Sequence, residues 1–221
     1  MCRFLLAKFE NPTKPEELLK EFSSMAKKSK AYDGDWQGDG WGISWVDEKG
    51  LWQTRKSLLP VWEEGNTFES FPKTLILAAH ARSASFPNQK GVIEYNQPFV
   101  DEPYVFVFNG LLKKVSLSSR IPGEIGSQKI WFLLRKLLKR LPPLEALKKV
   151  KNVLREGAVD LQALNIGLCD KKNLYLLNYY SQYPDYYRLY LLDHLGKKII
   201  CSEKLVGFDD FKPSPLIVLK L

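Results

Sequence analysis

The chain has 221 residues, 45% of them hydrophobic and 26% charged, with a formal net charge of +8. That length allows a sizeable buried core, and the composition excludes a disordered or collagen-like polymer. No run approaches the roughly 20 apolar residues of a membrane span, and the opening MCRFLLAKFENP is charged too soon for a signal peptide, so a cytoplasmic protein without membrane contact is expected.

Residues 3–9 (RFLLAKF) predict a buried strand that begins almost at the terminus. Next, Pro15 and the Glu16-Glu17 pair open an amphipathic helix. GDGWGISWV and LWQTRKS, separated by Asp47-Glu48-Lys49-Gly50, form a hairpin pattern. Strong strands are predicted over 74–82 and 104–110; between them lies a polar, Pro- and Gly-containing stretch of the kind that lines a site. Helices are predicted over 127–140 and 143–155, broken at Pro142-Pro143. ALNIGLCD, NLYLLNYY, YYRLYLLD, KKIICSE and PLIVLKL read as further strands. Strands, then helices, then strands imply an α+β architecture rather than a doubly wound sheet, and a single domain over 1–221 is expected.

Between Ser127 and Arg155 there are nine Lys or Arg residues and one acid, Glu145. Because these charges interleave with leucines at helical spacing, they read as the solvated faces of two helices in preference to a nucleic-acid surface.

Cys2, Cys169 and Cys201 lie far apart with no CxxC spacing, so neither a zinc site nor a disulfide framework is indicated, and no metal or cofactor is expected. His80 falls inside a predicted strand and His194 beside a turn, neither with an evident Ser or Cys partner in sequence. Cys2 offers nucleophilic chemistry without histidine. Removal of Met1 would free an α-amine, of ordinary pKa about 7.7–8.0, beside the Cys2 thiol, placing nucleophile and base on one residue.

Cys2 also keeps company: Met-Cys-Arg-Phe-Leu at the start, Gly-Asp-Gly-Trp-Gly-Ile at 38–43, His-Ala-Arg at 80–82, Asn-Gln-Pro-Phe at 96–99 and Phe-Asn-Gly at 108–110. In this order and spacing the first 135 residues resemble the class II glutamine amidotransferases. Ile200-Cys201-Ser202-Glu203-Lys204-Leu205 is similar to the Ala-Ser-Glu-Pro-Leu run of stand-alone members. The resemblance implies a four-layer αββα N-terminal-nucleophile hydrolase fold, with two antiparallel sheets stacked between helices and Cys2 at the end of a central strand. It further implies that the Cys2 thiolate attacks a side-chain carboxamide, forms a γ-glutamyl thioester and releases ammonia. Asn109 and Gly110 would supply the oxyanion hole, Arg82 would hold the α-carboxylate of glutamine, and Ser85 would line the pocket.

The pattern is broken in three places: Gln97 and Phe108 stand where the family usually has His, and Gly126-Ser127-Gln128 stands for Asp-Ser-Glu, whose Asp meets the α-ammonium of glutamine. Gln97 is thereby a candidate pocket residue, and Glu124 a candidate replacement for the missing carboxylate. The implied substrate is glutamine, with ammonia passing to a separate synthase subunit, or a γ-glutamyl amide of a larger compound cleaved without an acceptor. From a different class, a non-catalytic relative could bind a partner or RNA through the basic helices.

Overall fold

The apolar opening strand is the middle of the molecule. The computed structural model describes residues 2–29, 34, 36–117 and 121–221; Met1, whose removal the sequence implies, lies outside them. Strand β1 (Arg3–Thr13) is followed by helix α1 (Glu16–Lys28), the hairpin β2 (Trp41–Val46) and β3 (Trp52–Ser57), and β4 (Thr74–Ala81). Then come β5 (Phe99–Asp101), β6 (Tyr104–Val115), α2 (Gly126–Leu138) and α3 (Pro143–Gly157). The last third holds β7 (Ala158–Cys169), β8 (Leu174–Leu177), the short α4 (Pro184–Tyr187), β9 (Tyr190–His194), β10 (Lys197–Cys201), β11 (Lys212–Pro213) and β12 (Val218–Lys220).

The strands form two antiparallel sheets, one of seven in the order β11-β9-β10-β1-β4-β2-β3 and one of five in the order β12-β8-β7-β6-β5. Successive residues of a strand face opposite ways, and β1 is apolar on both faces. Leu5 and Ala7 pack with Leu18, Leu19 and Phe22 of α1, whereas Phe4 and Leu6 pack with Val105 and Val107 of the other sheet. On the far side Phe106, Phe108, Leu164 and Ile166 meet Ile130, Leu134, Leu147 and Val150 of α2 and α3. This is the α+β, four-layer arrangement of helix, sheet, sheet and helices. The basic residues of α2 and α3 face outward, with Lys129, Lys136, Lys139, Lys148 and Lys149 exposed, as expected of solvated helix faces. Among the described residues no helix is long and apolar enough to cross a membrane.

Two elements depart from the sequence pattern. Tyr186 and Tyr187, read as the start of a strand, lie in the turn of α4, buried against Ala163. Strand β7 begins at Ala158, directly after α3, because its first residues pair with the far end of β6, Val115 opposite Ala158 and Lys113 opposite Asp160. Both depend on long-range partners that local periodicity does not record.

β1 is fastened at its start as well as along its length. The Phe4 N–H donates to the Ser202 hydroxyl at 2.9 Å, and the Ser202 N–H returns a bond to the Phe4 carbonyl at 3.1 Å. Arg3 is 1% exposed. Its Nε donates to Ser29 Oγ at 2.6 Å, one terminal nitrogen donates to the Tyr186 carbonyl at 2.8 Å, the other pairs with Glu203, and the guanidinium stacks 3.7 Å from the Tyr186 ring centroid. Removing one partner of a buried pair strands the other charge at a cost of roughly 3–5 kcal/mol. Since Glu203 is 36% exposed, Glu203→Gln is expected to lower unfolding stability by about 2 kcal/mol in urea titration; an unchanged midpoint would mean that Ser29 and Tyr186 alone hold Arg3.

Candidate active site

The start of β1 opens on a cleft of 490 Å³. Cys2 is half-buried at its wall, and its thiol donates to the Ser83 carbonyl at 3.6 Å. The other cysteines are fully buried in the layers, and burial pushes the Cys201 thiol up to about 12 and the Cys169 thiol well above its ordinary value. Cys2 is therefore the thiol that a solute can meet.

Of the residues singled out in the sequence, Cys2, Arg82, Ser85, Gln97 and Gly110 line this one cleft, together with Gly126 and Ser127 at the start of α2. Arg82 follows directly on β4. Its guanidinium is 5.6 Å from the centroid of the Tyr95 ring, with one terminal nitrogen 2.7 Å from the Gln89 carbonyl and the other 3.4 Å from Asn96 Oδ1. Burial lowers its pKa from the ordinary value, while neighbouring Cys2 and Asp39 act in the opposite sense. Gln97 faces the cleft but has both ends of its amide on a backbone: Oε1 accepts from the Phe108 N–H at 2.6 Å and Nε2 is 3.4 Å from the Phe108 carbonyl. It stands in for a neighbouring strand beyond the end of β5 and holds the residue just before Asn109.

The Gly-Asp-Gly-Trp-Gly motif gives this loop its seat. A side chain at Gly40, whose φ is +109°, would come within 2.3 Å of Asn96 Nδ2, and one at Gly42 within 2.5 Å of the Gln97 carbonyl. The missing methyls let residues 96 and 97 lie on the β2–β3 hairpin, where Asn96 Nδ2 donates to the Ser57 carbonyl at 2.7 Å. Gly110 is equally confined on β6, with the Ala163 carbonyl 2.2 Å from where a Cβ would be.

Asn109 lies beneath the cleft surface. It is 1% exposed, and neither its side-chain nitrogen nor its side-chain oxygen has a hydrogen-bond partner. By strand alternation it shares the inter-sheet face of Val105 and Val107, as Cys2 shares that of Phe4 and Leu6. Asn165, its buried neighbour across the β6–β7 ladder, is satisfied by contrast, donating to the Tyr187 carbonyl at 2.7 Å and accepting from the Tyr179 N–H at 3.1 Å. An unpaired buried amide is costly, and Asn109 carries that cost at both ends of its side chain. His80 lies in the same inter-sheet layer with Nε2 3.3 Å from the Phe108 carbonyl, and burial pushes its pKa down to about 3. Its ring is thereby held in the neutral form.

Glu124 does not line the cleft. Its carboxylate accepts from the Tyr95 hydroxyl, and Tyr95 in turn lines the cleft beside Arg82. No Asp or Glu is found among the described lining residues, and a side chain built at Gly126 would meet nothing within 4 Å.

No family model and no curated protein sequence matches the chain. Solved structures do. A glutamine aminotransferase class-II domain protein from Silicibacter pomeroyi aligns over 100% of this chain and 98% of its own, with a TM-score of 0.62 at 13% identity. The glutamine phosphoribosylpyrophosphate amidotransferase of B. subtilis aligns over 94% of this chain and 44% of its own, with a TM-score of 0.60 at 16% identity. A predicted glutamine amidotransferase from Pseudomonas aeruginosa gives a TM-score of 0.52 at 14% identity, over 100% of this chain and 93% of its own. The fold is that of the class II glutamine amidotransferases. Within it the chain spans less than half of the phosphoribosylpyrophosphate enzyme.

Sequence reasoning missed several residues that shape the site. Asp39 accepts from the Ala84 N–H at 2.8 Å and pairs with Lys90 at 3.1 Å, clipping the loop that carries Ser83 and Ser85 to the glycine motif. Its sign was present in Gly-Asp-Gly, but only the fold shows what the carboxylate holds. Arg3, Ser202 and Glu203 belong to recognised segments and have the anchoring role described above. Tyr95 carried no signal. For Asn109, replacement by leucine, close to it in shape, removes no hydrogen bond and relieves an unpaired amide. Asn109→Leu is therefore expected to unfold at the same or a higher urea concentration than the parent; a clear loss of stability would show that the amide is paired in solution.

Proposed function

We propose that the chain hydrolyses a glutamine-type carboxamide through a thioester on Cys2. The observation that carries this reading is the convergence on one cleft of the solute-accessible cysteine, the buried Arg82 and Gly110 of β6, with the unpaired Asn109 beneath its surface. In this scheme Met1 is removed and the freed amine takes the thiol proton. Sulfur adds to the amide carbon, and the developing oxyanion is met by the Asn109 amide and the Gly110 N–H, donors fixed on a strand that need no reorganisation. The C–N bond breaks as the ammonium returns its proton to the leaving nitrogen. Water then attacks the thioester, giving the free carboxylate and restoring Cys2. The Arg82 fork holds the α-carboxylate. The 221 residues act as one amidotransferase type 2 domain; on free glutamine the released ammonia would go to a separate synthase subunit.

A glutamine-like diazoketone is expected to label Cys2 and to leave Cys169 and Cys201 unmodified, as read by peptide mass mapping. Labelling that survives Cys2→Ala would end the scheme, as would full amidase activity in native-source protein that retains Met1 throughout.

No described acid in the cleft lining faces an α-ammonium and Glu124 reaches it only through Tyr95, so the glutamyl half is weakly held in glutamine and γ-glutamyl amides alike, and only an amide with a larger leaving group can recover the lost binding energy. A charge-assisted hydrogen bond is worth roughly 1.5–3 kcal/mol, about ten- to a hundredfold in affinity. We expect kcat/KM to be higher for a γ-glutamyl amide than for glutamine. Gly126→Asp, for which there is open space, should raise it for glutamine by about tenfold. Efficient glutaminase activity in the parent with no gain in the variant would mean that Glu124 already completes the clamp.

A further inference from the structure

The cleft continues past the residues used above. Four successive residues of β6, Leu111, Leu112, Lys113 and Lys114, line it, although strict alternation would show only every second side chain to one face. Two irregularities account for this: the ladder with β7 changes register between Leu111 and Leu112, and Lys114 has a φ of +50°, a left-handed conformation uncommon outside glycine. Strained backbone of this kind persists where surrounding structure imposes it, and it clusters at binding sites.

The twisted segment makes a wall of definite chemistry. Leu111 and Leu112, with Ile125 and Ile130 across the cleft, form an apolar body, and Lys113 and Lys114 put two cations at its edge. Lys113 lies 3.6 Å from Asp160 and is 54% exposed; Asp160 also accepts from Gln182 at 3.1 Å and is not in the lining. Beyond Leu112, Gly126 and Ile130, which both spaces share, a groove of 600 Å³ runs between the end of β6 and α2. If the glutamyl half is held at Arg82 and its carbonyl lies at Cys2 and Gly110, this wall faces the group on the other side of the scissile bond. For free glutamine that group is ammonia, which would leave the wall unused.

We propose that Lys113 and Lys114 select the leaving group, and that the substrate is a γ-glutamyl conjugate of an apolar amino acid, whose side chain lies on Leu111, Leu112, Ile125 and Ile130 and whose carboxylate meets the two lysines. The proposal rests on the amidohydrolase reading above and names its substrate class. The covalent steps are those already written, with the amino nitrogen of the departing amino acid taking the proton as the C–N bond breaks.

The test compares γ-glutamyl-phenylalanine with γ-glutamyl-phenethylamide, which keeps the ring and lacks the carboxylate, using purified full-length enzyme. The expected result is a preference for the dipeptide of about five- to tenfold in kcat/KM, the contribution of two partly exposed cation–carboxylate contacts. It should shrink as salt is raised and fall to about one in the Lys113→Met/Lys114→Met double variant. A parent ratio near one, or an unchanged ratio in the double variant, would overturn the leaving-group proposal while leaving the amidohydrolase reading standing. Cleavage of neither conjugate, with no acyl adduct on Cys2 in the intact mass, would overturn both.

Discussion

Cys2 keeps its place at the wall of the cleft only if the start of β1 is held. Here the hold is the buried Arg3 guanidinium, gripped by Ser29, the Tyr186 carbonyl and Glu203, beside the reciprocal Phe4–Ser202 bonds. The grip draws on α1, α4 and the residues after β10, so three distant parts of the chain must be in place before Cys2 is. Leu5 and Phe4, packed into opposite layers, then fix the direction in which β1 leaves the cleft.

The opposite wall depends on a different economy, the absence of side chains. Gly40 and Gly42 let residues 96 and 97 lie on the hairpin; Asn96 steadies Arg82, and Gln97 holds the backbone of Phe108. Through these contacts the loop that carries Asn-Gln-Pro-Phe links the hairpin, the end of β4 and the middle of β6. Gln97, where the related pattern has His, is thus a brace for Asn109 and Gly110 as well as part of the cleft lining. Arg82 and Asn109 are positioned by one another's supports.

Two features of the cleft carry a cost that the layers around it must offset. Asn109 is buried without a partner, and Lys114 has a left-handed backbone. Asn165, beside Asn109 on the neighbouring strand, is satisfied at both ends of its amide. Departures from local consistency are expected where a fold is shaped for a ligand. With Arg82, Lys113 and Lys114 lining the cleft and no described acid among its walls, its field favours anionic ligands.

Much of this was legible in the amino-acid sequence. The apolar run of β1, the Pro15-opened helix, the hairpin at Asp47–Gly50 and the break at Pro142-Pro143 follow from periodicity and backbone restriction, which act over a few residues. The exposure of the cations on α2 and α3 follows likewise from their spacing. The candidacy of Cys2, Arg82, Ser85, Gln97, Gly110 and Asn109 came from the order of short motifs, and the structure brings all but Asn109 to the surface of one cleft. What the tertiary structure alone decided was pairing across distance: Arg3 with Glu203, Asp39 with the Ala84 N–H, Gln97 with Phe108, Glu124 with Tyr95 instead of the cleft, and the bend of β6 that brings Lys113 and Lys114 to one wall. Those contacts join residues through space with no fixed separation along the chain, so the sequence holds their chemistry but not their geometry.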